Sequence, residues 1–167
     1  MPSRRTALLM MRYITSLGHP PPDLDFITGT LAVGGALRSD AQIRALPGLG
    51  IGSVVDLRSE SKDNVAELER LGIRFLHLPT RDWRPLTPED METGAAWVLD
   101  EMAQDRKVLV HCQHGVGRSV ILVAAVLVKQ GYNWQEAMRL IQSKRLGAGP
   151  HADQLDALAE FARNHKG

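Results

Sequence analysis

The chain has 167 residues, 44% hydrophobic and 23% charged, which fits one globular domain around a single core. Twenty Lys and Arg against nineteen Asp and Glu leave a net charge of +1, so bulk charge argues for no polyanionic partner, and no nucleic acid is expected. One cysteine excludes an internal disulfide framework and any cysteine-rich metal site, and suits a reducing, cytoplasmic setting.

Residues 1–22 lack acids and carry Arg4, Arg5 and Arg12. They are read as part of an N-terminal arm over 1–23, with organelle targeting through 1–22 as the weaker alternative. His19-Pro-Pro-Pro-Asp23 breaks whatever precedes it, so the domain is expected over 24–167. Leu31-Ala-Val33 reads as a short strand. Ser39-Asp-Ala-Gln42 reads as a capping box opening a helix that stops before Pro47. Gly48-Leu-Gly-Ile-Gly52 has glycines spaced as in a dinucleotide loop, but it precedes a strand and is read as a turn.

Strands follow at Ser53–Leu57 and Ile73–Leu78, the second ended by Pro79, with a helix from Asn64 to Leu71 between them and Gly72 as its cap. Thr87-Pro-Glu-Asp90 starts a longer helix. A strand at Lys107–His111 leads through a loop into the apolar helix Val120–Val128, a run well short of the ~20 residues that span a bilayer. Asn133 caps the next helix, and Asp153–Asn164 forms the last. The alternation predicts a single α/β domain with a mostly parallel central sheet of about five strands flanked by helices.

The informative segment is His111-Cys-Gln-His-Gly-Val-Gly-Arg-Ser119. A buried strand brings Cys112 to the C-terminal edge of the sheet, where ligands bind in such folds. Gly115 and Gly117 let the backbone curl with positive φ and turn the amides of Gln113, His114, Gly115, Val116 and Gly117 inward as an anion nest. Arg118 opens a helix whose free N–H groups face the loop. Nest, helix dipole and guanidinium favour a tetrahedral dianion, and the same field favours a thiolate. The competing interpretation is a buried cysteine at a strand-turn-helix junction. The chain has no Gly-Lys pair for a Walker loop and no His-Glu-x-x-His zinc motif.

His111-Cys112-x-x-Gly115-x-x-Arg118-Ser119 resembles the signature of cysteine-dependent protein tyrosine phosphatases. The small domain, with Val54-Val-Asp-Leu-Arg58 and Arg81-Asp-Trp-Arg-Pro-Leu-Thr87, is similar to the compact atypical members of the dual-specificity branch. Low-molecular-weight phosphatases and arsenate reductases carry the loop near the N-terminus, and rhodanese-like phosphatases usually lack the glycine found here at 115.

The resemblance implies Cys112 as nucleophile through a phosphocysteine, Arg118 as phosphate clamp and Asp82 as general acid, with Asp90 as the alternative acid. It implies that Ser119 assists the departing thiolate, or else caps the helix. It gives His111 a role in tuning Cys112, against a purely structural one. Gln154 either positions water or is a surface glutamine. His114 stands where many relatives have a small residue. Trp83 either stacks on a substrate ring or pins its loop to the core, and Arg81 and Arg84 either draw acidic substrates or are merely solvated.

No metal or organic cofactor is implied. The expected partner is a phosphorylated protein or small phosphomonoester. Inositol phosphates, phosphoinositides or RNA 5′-phosphates form the rival substrate class, and a non-catalytic phosphate-binding module is the rival of another kind.

Overall fold

A strand buried on both faces needs apolar side chains in both directions, and the central strands have them. In the computed structural model, which describes residues 19–165, β2 (Leu31–Gly34), β3 (Ile51–Arg58) and β5 (Lys107–His111) form the middle of a five-stranded sheet. Leu31, Val33, Val55, Leu57, Val108 and Val110 face one core, while Ala32, Val54 and Leu109 face a second core on the other side. That is the period-two alternation of a pleated strand.

The strand order is β1-β2-β5-β3-β4, so β5 is central. It pairs in parallel with β2, with Gly34 opposite His111, and in parallel with β3, with Asp56 opposite His111. The edge strand β1 (Leu24–Phe26) runs antiparallel to β2. It was not anticipated, because three residues carry no readable period, yet it completes the expected count of strands.

The other edge is β4 (Arg74–Thr80), which runs through Pro79 instead of ending before it. An edge strand tolerates proline because one row of its N–H groups has no ladder partner. The segment Gly48–Gly52 is the turn expected: a short 3-10 helix at Pro47–Leu49 ends on Gly50, and β3 begins at Ile51.

Helix boundaries follow local chemistry. Asn64, Thr87 and Asn133 accept from the third backbone N–H after them and open α2 (Val65–Arg70), α3 (Pro88–Ala103) and α5 (Trp134–Lys144). Ser39 does the same for α1 (Asp40–Ala45), but Gln42 does not complete a capping box. Its Oε1 accepts from Arg38 N–H, and its Nε2 donates to the carbonyls of Pro20 and Pro21. The chain is therefore hydrogen-bonded to the domain from Pro20 onward, although Pro20 itself is exposed. Residues 1–18, the larger part of the arm expected over 1–23 and of its targeting alternative over 1–22, lie outside the described residues.

The helix α4 (Arg118–Lys129) is buried along its length up to Val128, packed between the sheet and α3, α5 and α6 (Ala152–Asn164). Each fully buried Val, Leu or Ile there stabilises the fold by about 1.5–3 kcal/mol. A helix enclosed this way holds its first turn in a fixed place. That turn carries Arg118 and Ser119. No helix among the described residues is long and apolar enough to cross a membrane.

Candidate active site

The loop between β5 and α4 is shaped by where its carbonyls go. The Cys112 carbonyl lies 3.3 Å from His111 Nδ1. The Gln113 carbonyl accepts from Ala36 N–H at 3.1 Å, and those of His114 and Gly115 accept from the Arg145 guanidinium at 3.0 Å each. The Val116 carbonyl accepts from Gly149 N–H, and the Gly117 carbonyl from Ile121 N–H, both at 3.0 Å. Every carbonyl from Gln113 to Gly117 thus accepts from a donor outside the curl, which is what turning successive amides inward requires.

Of the two glycines expected to take positive φ, only Gly115 does, at 69°. Gly117 has φ −123°. Its missing Cβ serves packing instead, since a Cβ there would come within 3.2 Å of Gln154 Oε1.

Cys112 is buried, and its Sγ accepts from Gly115 N–H at 3.3 Å and lies 3.2 Å from Ser119 Oγ. Ser119 does not cap the helix: the N-cap position is Gly117 and makes no side-chain cap bond. Arg118 is 1% exposed. Its Nη1 and Nη2 donate to the two carboxylate oxygens of Glu60 at 2.8 and 2.7 Å, and Nη1 also to the Thr80 carbonyl. Its Nε is buried and has no hydrogen-bond partner among the described residues. The bond from Arg118 holds the Glu60 carboxyl down at about 2, well below the usual carboxylate range.

Asp82 sits in the loop after β4, with Oδ1 3.4 Å from Arg118 Nη2 and accepting from Trp83 N–H at 3.0 Å. Its side chain is 41% exposed. Asp90 stays in the first turn of α3, where its N–H donates to Thr87 Oγ1. The cleft is lined by Asp82, Trp83, Cys112, His114, Arg118 and Gln154, among others. Asp82, not Asp90, therefore shares the cleft with Cys112 and Arg118.

The family model for the dual specificity phosphatase catalytic domain matches residues 36–164. The chain belongs to the dual-specificity phosphatase family. It is 36% identical over 98 residues to human phosphatidylglycerophosphatase and protein-tyrosine phosphatase 1, covering 57% of this chain and 48% of that protein. It is 28% identical over 137 residues to mouse dual specificity protein phosphatase 22, covering 71% and 72%. Some relatives are longer: the match to Schizosaccharomyces pombe tyrosine-protein phosphatase yvh1 covers 22% of that protein. Among solved structures, the active form of Tk-PTP superposes with TM-score 0.76 at 28% identity, over 85% of this chain and 97% of that one. PTPMT1 superposes with TM-score 0.77 at 25% identity, over 84% and 94%.

For two residues of this dual-specificity phosphatase domain, one of the two alternatives is removed. Gln154 is not a surface glutamine: it is 1% exposed, its Oε1 accepts from His151 N–H and its Nε2 donates to the Arg84 carbonyl. It lines the cleft and also ties the loop of Asp82 to the start of α6. Trp83 does not pin that loop to the core. It is 61% exposed at φ 65°, with its ring edge-on to His151 at 4.4 Å between centroids. His114 is exposed and lines the cleft, whereas Gln113 does not line it; Arg81 and Arg84 are exposed on either side of Asp82 and Trp83 in the chain and do not line it either.

Three further residues of the domain were not picked out in the sequence. Glu60 follows β3 at the sheet's C-terminal edge, and an acid in that place beside a cysteine loop is a signal that could have been used. Asp63 accepts at 2.6 Å from His111 Nε2, and with Asp56 and Arg58 forms a buried network beside the strand end that carries Cys112. Burial pushes the Asp56 carboxyl up, but the bonds and charge of Arg58 and the charge of His111 outweigh it and hold it low. Ligand atoms of Asp56, Asp63 and His111 lie within 4.8 Å of one another, as around a metal. The guanidinium of Arg58 already bridges both carboxylates at 2.9 Å, doing a cation's work there. Arg145, the third, had no local signal at all.

Proposed function

We propose that this protein hydrolyses phosphate monoesters through a phosphocysteine, with phosphotyrosine in proteins as the leading substrate and phosphoserine or phosphothreonine as further ones. The observation that carries the reading is the convergence of Cys112 Sγ, Arg118 and Asp82 on one cleft, beneath a loop whose carbonyls are all held outward. Family membership and the relatives named as tyrosine or dual-specificity phosphatases support it.

In this scheme the Cys112 thiolate attacks phosphorus while the loop amides and the unpartnered Arg118 Nε–H bind the equatorial oxygens. Asp82 gives its proton to the leaving oxygen, and the S–P bond forms as the P–O bond breaks. Asp82, now a carboxylate, then takes a proton from water as that water attacks phosphorus. The S–P electron pair returns to sulfur, where Ser119 Oγ, 3.2 Å away, stabilises the thiolate. Gln154 orders the cleft wall from which water approaches. The chemistry needs a reduced thiol, which fits a cytoplasmic location.

A second reading, phosphate on a lipid headgroup, has an observation of its own: Trp83 lines the cleft yet is exposed, and its exposed neighbours in the chain include Arg81 and Arg84. The human relative named as a phosphatidylglycerophosphatase points the same way. The test is metal-free hydrolysis of 4-nitrophenyl phosphate, followed by a screen over phosphopeptides, phosphoinositides in vesicles and 5′-phosphorylated RNA. An inactive wild-type protein that still binds tungstate would leave a phosphate-binding module instead.

A further inference from the structure

We propose that Arg145 is a positioning residue of the phosphate loop, setting two consecutive loop peptides so that their N–H groups face the sulfur and the oxyanion. The inference rests on the phosphatase reading above.

Arg145 is the C-cap residue of α5, buried, and directed at the outer side of the loop. A guanidinium has five N–H donors, and here each has an acceptor. Nη1 donates to Asp23 Oδ1 at 2.6 Å and Asp25 Oδ2 at 3.2 Å. Nη2 donates to Asp23 Oδ2 at 2.9 Å and the His114 carbonyl at 3.0 Å, while Nε donates to the Gly115 carbonyl at 3.0 Å.

A trans peptide is planar with its C=O and N–H on opposite sides. Holding the His114 carbonyl outward therefore sends the Gly115 N–H inward, and that N–H donates to Cys112 Sγ at 3.3 Å. Holding the Gly115 carbonyl outward sends the Val116 N–H inward in the same way. One rigid fork thus sets two adjacent donors, and its charge at the carbonyl ends polarises both N–H groups toward an anion.

Elsewhere in the loop the outward carbonyls of Gln113 and Val116 meet neutral backbone donors, Ala36 and Gly149. At the stretch nearest the sulfur the donors are instead those of a guanidinium, whose charge is shared with Asp23 and Asp25. It also explains the glycine beneath it: a Cβ on Gly115 would lie 2.4 Å from Arg145 Nη2 and 2.6 Å from the Gly34 carbonyl oxygen.

Lysine keeps the charge but cannot span both carbonyls in one plane, so Arg145→Lys isolates the geometry. The experiment compares wild type, Arg145→Lys and Arg145→Gln by calorimetric tungstate affinity, by kcat and KM on 4-nitrophenyl phosphate, and by thermal melting. Tungstate affinity and kcat/KM should fall together, by roughly 10- to 100-fold in Arg145→Lys and further in Arg145→Gln. A merely structural arginine would lower Tm and leave the affinity of the folded molecules unchanged.

A folded Arg145→Lys with wild-type tungstate affinity would overturn the proposal. Should neither variant fold, amide exchange in the wild type decides: Gly115 N–H should be protected without any oxyanion, and exchange as fast as an open loop would refute the assignment. Wild-type protein that binds tungstate but hydrolyses nothing defeats the phosphatase reading instead, and the binding comparison still judges Arg145.

Discussion

Both carboxylate oxygens of Glu60 are bonded to Arg118, at 2.8 and 2.7 Å, although the residues stand 58 positions apart. The pair fixes the plane of the guanidinium. Its Nε, the donor without a partner among the described residues, is consequently fixed in direction too. Glu60→Gln keeps the shape and removes the charge-assisted half of the fork. kcat/KM should drop by about 10- to 100-fold, with tungstate affinity falling in parallel. Unchanged affinity in a folded Glu60→Gln protein would mean that Arg118 is oriented by Thr80 and the helix alone.

The same pair should be visible in acid stability. The Glu60 carboxyl, ordinarily near 4.5, is held at about 2 in the folded protein by the bond from Arg118. A folded-state value below the unfolded one contributes stability that is fully present above the ordinary value. That contribution disappears as pH falls toward the folded value. The Tm difference between wild type and Glu60→Gln should thus be largest above about pH 5 and shrink toward pH 2. The Glu60 side chain is 39% exposed, so solvent screening keeps the effect small. A difference that grows on acidification would contradict the assignment.

Cys112→Ser should abolish turnover while oxyanion binding persists, because Cys112 is the chain's only cysteine and the loop amides remain. Arg118→Lys should also be severe, since an ammonium cannot keep both the Glu60 fork and a phosphate oxygen. Steady-state rates without added metal, beside tungstate calorimetry, separate the two effects. Appreciable turnover by Cys112→Ser would refute the phosphocysteine scheme.

Asp82→Ala should lower kcat by roughly 10²- to 10⁴-fold on alkyl phosphates and less on activated aryl esters, whose leaving groups need little proton assistance. Asp90→Ala should cost at most a fraction of the helix start, because its carboxylate lies in the first turn of α3. Rates measured across leaving groups of graded basicity decide between them. A leaving-group-dependent loss in Asp90→Ala alone would reverse the assignment.

Much of the frame was legible locally. Asn64, Thr87 and Asn133 mark their helix starts, because an N-cap is a bond between residues three apart. Lys107–His111, the glycines and Arg118 lie in one short run, so strand, curl and helix start could be read together. Pro79 misled: proline forbids a ladder bond, but only the strand order shows that β4 is an edge where none is required. β1 was missed because its only distinguishing property is its pairing with β2.

By itself the sequence determined the reactive loop and the alternation of elements that carries it, since both depend on residues close along the chain. Only the tertiary structure decided which charged side chains are buried around that loop. Asp63 reaches His111 across 48 positions, and Arg145 reaches Asp23 across 122. A lone Asp, Glu or Arg in a sequence reads as solvated surface, because burying it unpaired is prohibitively costly. Burial becomes tolerable once the partner is in place. The partner's position is a property of the sheet order and helix packing, not of any local stretch.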